Sequence, residues 1–179
     1  MNMKWPVFLL LLFLLMCGIL AAQSNRSHSV EQSVFSAEDA AVKKPATIPE
    51  DVLAILAKDE MVSHALENEN LPAEKLPLPW FSASTIHLSK LSQKDLVVMA
   101  VGPLAGGNVV TFWVFRWTAH GHELVLMTPA HDLAVKSSRW KGYRDIELTS
   151  MSAVTVSTVL CRFDGRRYAR YESKTENIR

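Results

Sequence analysis

Cysteine is scarce in this sequence of 179 residues, which contains only Cys17 and Cys161. Cys17 lies in an apolar N-terminal run that we expect to be removed, so one thiol remains and no disulfide can form within the mature chain. The fold must therefore be stabilised by its hydrophobic core alone. Cys161 lies in a strand-like segment, where a small buried side chain is more common than a reactive or bridging thiol.

An excess of charge of one sign is also lacking. The chain has 19 Lys and Arg against 18 Asp and Glu, which gives a net charge of +1 at pH 7. Proteins that bind the phosphate backbone of nucleic acids carry a basic surplus, and none is present here. We therefore expect no nucleic-acid partner, and a membrane contact only through the N-terminal segment if that segment stays uncleaved.

Recognisable catalytic motifs are missing as well. No serine lies in a Gly-x-Ser-x-Gly elbow, and the glycine-rich stretch 102–107 lacks the lysine of a phosphate loop. His120 and His122 flank one glycine, but no further ligand motif completes a zinc site around them. We therefore predict no catalytic residue, no metal and no cofactor. The alternative is a small exported hydrolase that uses His120, His122 or His131 in an unrecognised site.

The N-terminus has the composition of a signal peptide. Lys4 precedes an apolar run over residues 6–20, and the small residues Ala21 and Ala22 follow it. This order predicts cleavage near Ala22 and export to the periplasm or out of the cell. Two alternatives remain open: an uncleaved membrane anchor, and a lipoprotein that carries its lipid on Cys17.

Changes in composition divide the rest of the chain. Residues 23–46 are polar and show no period, which is typical of a flexible linker. Residues 47–172 contain the apolar periodicities of a single domain, and the polar residues 173–179 are interpreted as a disordered tail. The predicted organisation is thus a signal peptide over 1–22, a linker, one domain and a tail.

The domain begins with helical periodicity and continues with strand-like segments. Val52, Leu56, Val62 and Leu66 lie at spacings that favour one helix with a buried stripe. Short β-branched and aromatic runs follow, separated by turn pairs such as those at 120–121, 141–142 and 164–165. We therefore predict an α+β fold: one N-terminal helix followed by an antiparallel, meander-like β-sheet of about seven short strands.

The segment 109–118 is the strongest predicted strand, and it carries the candidate binding residues. Trp113 and Trp117 share one face, where aromatic rings fill a core or stack on a sugar ring or peptide. Arg116 points to the opposite face and needs either a carboxylate partner, for which Asp145 and Glu147 are the candidates, or an edge that is open to water.

Two further patterns, at 139–146 (Arg-Trp-Lys-Gly-Tyr-Arg-Asp-Ile) and 162–168 (Arg-Phe-Asp-Gly-Arg-Arg-Tyr), support a family resemblance. With the aromatic strand and the helix before them, they resemble small exported bacterial proteins of unknown function. Those proteins look like degenerate relatives of FG-GAP/VCBS-type repeats, in which a strand leads into a calcium-binding loop. The segment 87–97 matches that loop in shape, but Leu91 stands at a ligand position and offers no oxygen.

The resemblance therefore implies a fold and argues against a calcium ion. It also implies that Asp145 and Asp164 play the structural part of Asp95, each bonding the backbone of its own turn. A binding role for these carboxylates is the sharper hypothesis.

Taken together, the sequence predicts an exported, non-catalytic binding protein of the cell envelope or the secreted fraction. Its partner is expected to be a protein or a cell-wall polysaccharide, and a purely structural role in the envelope is the remaining possibility. The candidate binding residues are Trp113, Arg116, Trp117, Tyr143, Asp145 and Asp164.

Overall fold

The computed structural model describes residues 31–72, 75–90 and 94–178, so the predicted signal peptide and the first part of the predicted linker lie outside the described residues. About half of the chain is strand. The strands are β1 Val34–Ser36, β2 Phe81–Ile86, β3 Asp95–Ala100, β4 Val110–Thr118, β5 Gly121–Ala130, β6 Asp132–Trp140, β7 Tyr143–Met151, β8 Thr155–Phe163 and β9 Tyr168–Asn177. The helices are α1 Glu50–Leu56 and α2 Glu60–Asn68, and short 3-10 turns lie at Leu78–Trp80 and Gly102–Leu104.

The strands form two antiparallel sheets. Strands β2, β3, β4 and β5 make a four-stranded meander, and the five-stranded sheet has the order β1-β6-β7-β8-β9. Each strand from β2 onward pairs with its neighbour in the chain except where β5 passes to β6 and the chain changes sheet. Short connections between antiparallel neighbours account for this order.

Strand β4 separates two hydrophobic cores. Phe112 and Val114 pack with residues of the five-stranded sheet such as Ile146, which makes an inner core between the two sheets. Trp113 and Phe115 point the other way and pack with the apolar stripes of both helices. Because successive side chains of a strand alternate between faces, one continuous apolar strand serves both cores. The helices therefore cover the outer face of the four-stranded sheet.

The single predicted helix is in fact two. The chain leaves α1 after Leu56, and Asp59 begins α2 by accepting hydrogen bonds from the backbone N–H groups of Met61 and Val62, at 3.0 and 3.4 Å. An aspartate at this position stabilises a new helix N-terminus. No helix within the described ranges is long and apolar enough to cross a membrane.

The predicted α+β meander is therefore wrong. The fold is mostly β, with nine strands in two antiparallel sheets rather than about seven in one, and the helices are not N-terminal. Strand β1 precedes them, in the segment 23–46 that was interpreted as a linker. Val34 pairs with Ala134 on β6, and Phe35 is buried in the inner core, so this short strand is held by tertiary contacts.

The C-terminal strand also runs further than the sequence indicates. Asn177 pairs with Thr155, so β9 passes through most of the segment 173–179 that was interpreted as a disordered tail. The strand carries alternating charged and polar residues because it lies at the edge of the sheet. In the sequence such a strand looks the same as a polar tail. Only its pairing with β8 identifies it as a strand.

Two of the predicted tight turns are confirmed. Gly121, the first residue of β5 after the turn at 119–120, has φ +106°, and a Cβ atom there would lie 2.9 Å from Oδ2 of Asp51. Lys141 and Gly142, between β6 and β7, have φ +49° and +87°, as a two-residue hairpin turn requires. Gly121 is thus fixed by both its backbone angle and the close approach of Asp51.

Candidate functional site

Trp113 is a core residue. Its side chain is fully buried, its ring meets that of Phe81 edge to face at 5.9 Å, and its Nε1–H donates to Oδ2 of Asp59 at 3.0 Å. The ring therefore offers no surface to a ligand, and its contacts join the four-stranded sheet to the start of α2.

Trp117, at the end of the same strand, has a different environment. It is 41% exposed, its ring meets that of His122 edge to face at 4.8 Å, and Nζ of Lys94 lies 5.2 Å from the ring centre. Trp117 thus lies at the surface, where its ring contacts are with His122 and Lys94.

Arg116 and Tyr143 do lie together, on the inner side of the molecule. The guanidinium donates to the Tyr143 hydroxyl at 3.3 Å and to Oε2 of Glu123 at 2.7 Å, and it lies 5.0 Å from the ring centre of Phe163. The predicted carboxylate partners of Arg116 are therefore wrong, because Glu123 on the neighbouring strand takes that role. Arg116 and Glu123 belong to the four-stranded sheet, and Tyr143 and Phe163 belong to the five-stranded sheet. The contacts of the Arg116 guanidinium therefore join the two sheets.

Asp145 lies in a different cluster, on the outer face of the five-stranded sheet. It is 2% exposed, accepts a hydrogen bond from the Ser138 hydroxyl at 2.8 Å, and has Oδ1 3.6 Å from Nε of Arg162. The Arg162 guanidinium in turn lies 3.6 Å from the ring centre of Tyr171 and 5.0 Å from that of Trp140. We call these five residues the outer platform.

The aromatic rings of the outer platform are open to solvent. Trp140 is 44% exposed and Tyr171 is 59% exposed. Cys161 and Phe163 flank Arg162 along β8 and both face the inner core, so Arg162 must point outward. Two half-exposed rings therefore lie beside an arginine whose carboxylate partner is buried beneath them.

Two irregularities in strand pairing build the outer platform. On β6, the three residues 136–138 stand opposite Asp145 alone, and this brings Ser138 onto its carboxylate. On β9, Tyr171 is an extra residue between the pairs that Glu172 and Arg170 make with β8. Bulges of this kind re-aim side chains and are enriched next to functional sites. Each bulge thus directs one side chain toward the Asp145–Arg162 pair.

A polar groove continues the outer platform along the same face. Glu147 lies two residues after Asp145 on β7, and Leu160 lies two residues before Arg162 on β8, so both share the face of the outer platform. With Glu172 and Lys174 of β9 they line a groove of about 370 Å³. The outer face therefore combines aromatic rings, one arginine, carboxylates and an ammonium group within a few residues.

The three histidines of the hydrolase alternative do not share a site. His120 is exposed, and His122 and His131 stand at opposite ends of β5, separated by roughly 30 Å of extended chain. Nδ1 of His122 lies 2.9 Å from Asp51 and Nε2 lies 3.0 Å from the carbonyl oxygen of Lys94, so both ring nitrogens have partners. Among the described residues no three His, Cys, Asp or Glu side chains gather as a metal site.

The Asp51–His122 contact predicts a dependence of stability on pH. The pKa of the Asp51 carboxyl lies below its usual value, chiefly because the His122 backbone N–H donates to it. A depressed pKa stabilises the fold above the unfolded value of about 3.9, and this stabilisation is lost as the pH falls through the folded pKa. We therefore expect the melting temperature of the wild type to exceed that of Asp51→Asn at pH 6, and the difference to shrink toward pH 3.

The matched control is Glu50→Gln, which removes a neighbouring exposed carboxylate that accepts no hydrogen bond within the described part of the chain. Its melting temperature is expected to follow that of the wild type much more closely over the same pH range. A difference for Asp51→Asn that stays constant from pH 6 to pH 3 would mean that ionisation of Asp51 does not stabilise the fold.

The aspartates implied by the family resemblance divide into two groups. Asp164 accepts from the backbone N–H groups of Arg166 and Arg167 at 2.8 and 2.9 Å, and these bonds lower its pKa, so its expected turn role is confirmed. The Asp95 carboxylate accepts hydrogen bonds from the backbone N–H of Leu88, across the β2–β3 loop, and from the backbone N–H of Trp117 on β4. Asp145 was expected to bond its own turn, and this is wrong, because its partners are Ser138 and Arg162.

Sequence reasoning found Asp145 but missed Trp140, Arg162 and Tyr171. Trp140 was detectable, since it stands directly before the Lys141-Gly142 turn, where a buried ring is rare. Arg162 lies between two apolar residues of a strand and must therefore point away from the core. Tyr171 offered no such signal, because its direction depends on a bulge.

Comparison with known proteins finds no relative. No family model matches the chain, and neither a curated protein nor a solved structure matches it. The resemblance to FG-GAP/VCBS-type repeats therefore stays a prediction. Residues 91–93 of the loop concerned lie outside the described residues.

Proposed function

We propose that this chain is an exported, non-catalytic binding protein and that the outer platform holds a polysaccharide. The observation that carries the proposal is the pair of half-exposed rings, Trp140 and Tyr171, on either side of an arginine that forms an ion pair with a buried carboxylate at 3.6 Å. An aromatic ring offers a flat apolar surface to the C–H face of a sugar ring. The sequence led us to expect an exported binding protein whose partner is a protein or a cell-wall polysaccharide, and the proposal takes the second of these.

The polar side chains around the rings suit sugar hydroxyls. A hydroxyl both donates and accepts, so it can bond the Arg162 guanidinium on one side and a carboxylate such as Glu147 or Glu172 on the other. The groove that runs on from the rings provides such carboxylates along one face. A linear saccharide lying on the rings would reach them with its next units.

A polysaccharide fits this surface better than a protein partner does. A stable protein interface buries about 800 Å² on each side around an apolar centre. Beyond its two rings, the groove on the outer face mixes three glutamates, one lysine, one serine and one threonine with Val156 and Leu160. Two rings with a polar groove are enough for a saccharide chain but too small for the apolar centre of such an interface.

Removing the rings is expected to abolish binding to an insoluble polysaccharide. The measurement is depletion of the purified protein from solution by peptidoglycan, chitin and cellulose, each tested separately. The wild type is expected to be depleted by at least one of them. Trp140→Ala and Tyr171→Ala should each weaken that binding about ten-fold or more, a loss of about 1.4 kcal/mol, because each removes one stacking surface.

Trp117→Ala is the matched control, because it removes a tryptophan of similar exposure from the other sheet. It should bind like the wild type, and all three variants should keep the wild-type melting temperature within a few degrees. The proposal fails if none of the three polysaccharides depletes the wild type, or if Trp117→Ala loses as much binding as Trp140→Ala.

A further inference from the structure

Strand β9 is a long open edge of the five-stranded sheet. It pairs only with β8, and nine of its ten residues are exposed. An edge strand presents unpaired N–H and C=O groups to solvent and can template pairing with another chain. The opposite edge, β1, has three residues. The five-stranded sheet therefore has one edge long enough for substantial strand addition.

The second half of this edge is regular. From Glu172 to Asn177 each residue pairs in step with β8, after the bulge at Tyr171. No proline or glycine interrupts the segment. Proline, bulges and charged side chains all protect an edge strand against association. Along its six residues this segment has only the charges, so they decide which strand it can pair with.

The charges of this segment are complementary to their own antiparallel copy. Glu172, Lys174 and Glu176 share the outer face, since they stand opposite Leu160, Thr158 and Val156 of β8. If two copies of β9 pair antiparallel about Ser173, residue 172 of one lies opposite residue 174 of the other, and the bulged Tyr171 of each lies opposite Thr175 of the other. Two-fold symmetry then creates two Glu172–Lys174 pairs between copies. Opposite charges placed directly across two strands stabilise their pairing.

We propose that β9 is a homodimer interface, in which two copies add edge to edge in the register centred on Ser173. The two five-stranded sheets become one continuous antiparallel sheet of ten strands. Lys174 contacts Glu176 of its own chain in the free edge. Such an exposed pair contributes little, so its rearrangement in the dimer costs little.

The dimer is expected to be weak and reversible. Its contact is a single strand pair, which places it among small interfaces with dissociation constants of about micromolar or weaker. Because both outer platforms lie on the same face of the joined sheet, a dimer would present two saccharide sites side by side. A polymeric ligand would then be bound with higher avidity than either site gives alone.

Charge exchange at the two paired positions tests this interface. Sedimentation equilibrium of the purified protein over a range of concentrations gives the dissociation constant. Lys174→Glu places Glu172 opposite a second carboxylate in both pairs, and Glu172→Lys opposes two ammonium groups. Each single variant is expected to weaken dimerisation roughly ten-fold. The combined variant E172K/K174E restores opposite charges in both pairs and should recover a wild-type dissociation constant.

The recovery by the combined variant separates this register from a general effect of charge. Lys58→Glu, an exposed change of the same sign on the helical side, is the control and should leave dimerisation unchanged. The proposal is overturned if the wild type stays monomeric up to its solubility limit, or if E172K/K174E dimerises no better than the single variants. No saccharide is present in this experiment, so its outcome is independent of the proposed binding function.

Discussion

Replacing Trp113 with alanine is expected to lower the free energy of unfolding by about 3–5 kcal/mol, the range for a fully buried large aromatic residue. The side chain is entirely enclosed between the four-stranded sheet and the helices. Its loss leaves a cavity beside Phe81 and removes the donor to Asp59. The measurement is the urea midpoint at an unchanged m-value. Trp113→Phe keeps most of the ring volume and should lose less than the alanine variant.

The matched control for this prediction lies four residues along the same strand. Trp117 has the same side chain but is 41% exposed, so Trp117→Ala is expected to cost at most about 1 kcal/mol. The ratio of the two losses in unfolding free energy shows which of the two tryptophans the helices cover. Equal losses at the two positions would mean that the helices do not pack on β4 as the structure has them.

Those parts of the fold that depend on local pattern could be predicted from the sequence. Strand β4 is dense in β-branched and aromatic residues, and the Gly121 and Gly142 turns follow from residues that accept positive φ. Strand β3 is a short apolar run of the kind typical of a central strand, and all six of its residues are buried. These features are fixed within a window of about ten residues, which sequence periodicity can resolve.

The parts that the sequence did not yield depend on contacts between distant segments. Strand β1 is three residues long in a polar stretch and exists because Val34 pairs with Ala134. Division into two sheets cannot be inferred from β4, since a strand buried on both faces looks the same in one sheet or between two cores. The break between α1 and α2 had a local signal in Asp59, which the apolar spacing on either side obscured.

The outer platform was only partly predictable for a related reason. A strand's side chains alternate strictly, so one inserted residue moves every later side chain to the other face. Tyr171 is such an insertion on β9, whereas the irregularity at 136–138 adds two residues to β6. Neither has a proline or glycine to mark it. Asp145 was identified as a candidate partner of Arg116 and through the family resemblance. Its partners Ser138 and Arg162 could not be, since their meeting depends on the register of three strands.

Asp95→Ala is expected to be the most destabilising change at a polar residue, at about 3 kcal/mol or more. The carboxylate is fully buried, and its two oxygens accept from the backbone N–H groups of Leu88 and Trp117, each at 2.8 Å. Alanine leaves two N–H groups without a partner, and each buried orphan costs about 1–3 kcal/mol. Asp95→Asn keeps one acceptor and should fall between alanine and wild type in urea unfolding.

The control for Asp95 is Asp164, which also accepts two backbone N–H groups, at 2.8 and 2.9 Å, but in an exposed turn. Water can replace the carboxylate of Asp164, whereas the Asp95 carboxylate is fully buried, so the two alanine variants compare two backbone hydrogen bonds to an exposed and to a buried carboxylate. Asp164→Ala is expected to lose a small fraction of what Asp95→Ala loses. Similar losses of unfolding free energy would mean that the two amides are hydrated in Asp95→Ala and that their burial adds no cost. Hydration of the Leu88 amide requires the β2–β3 loop to open to solvent. Hydrogen exchange at Leu88 would then rise while exchange in the β3–β4 ladder stayed slow.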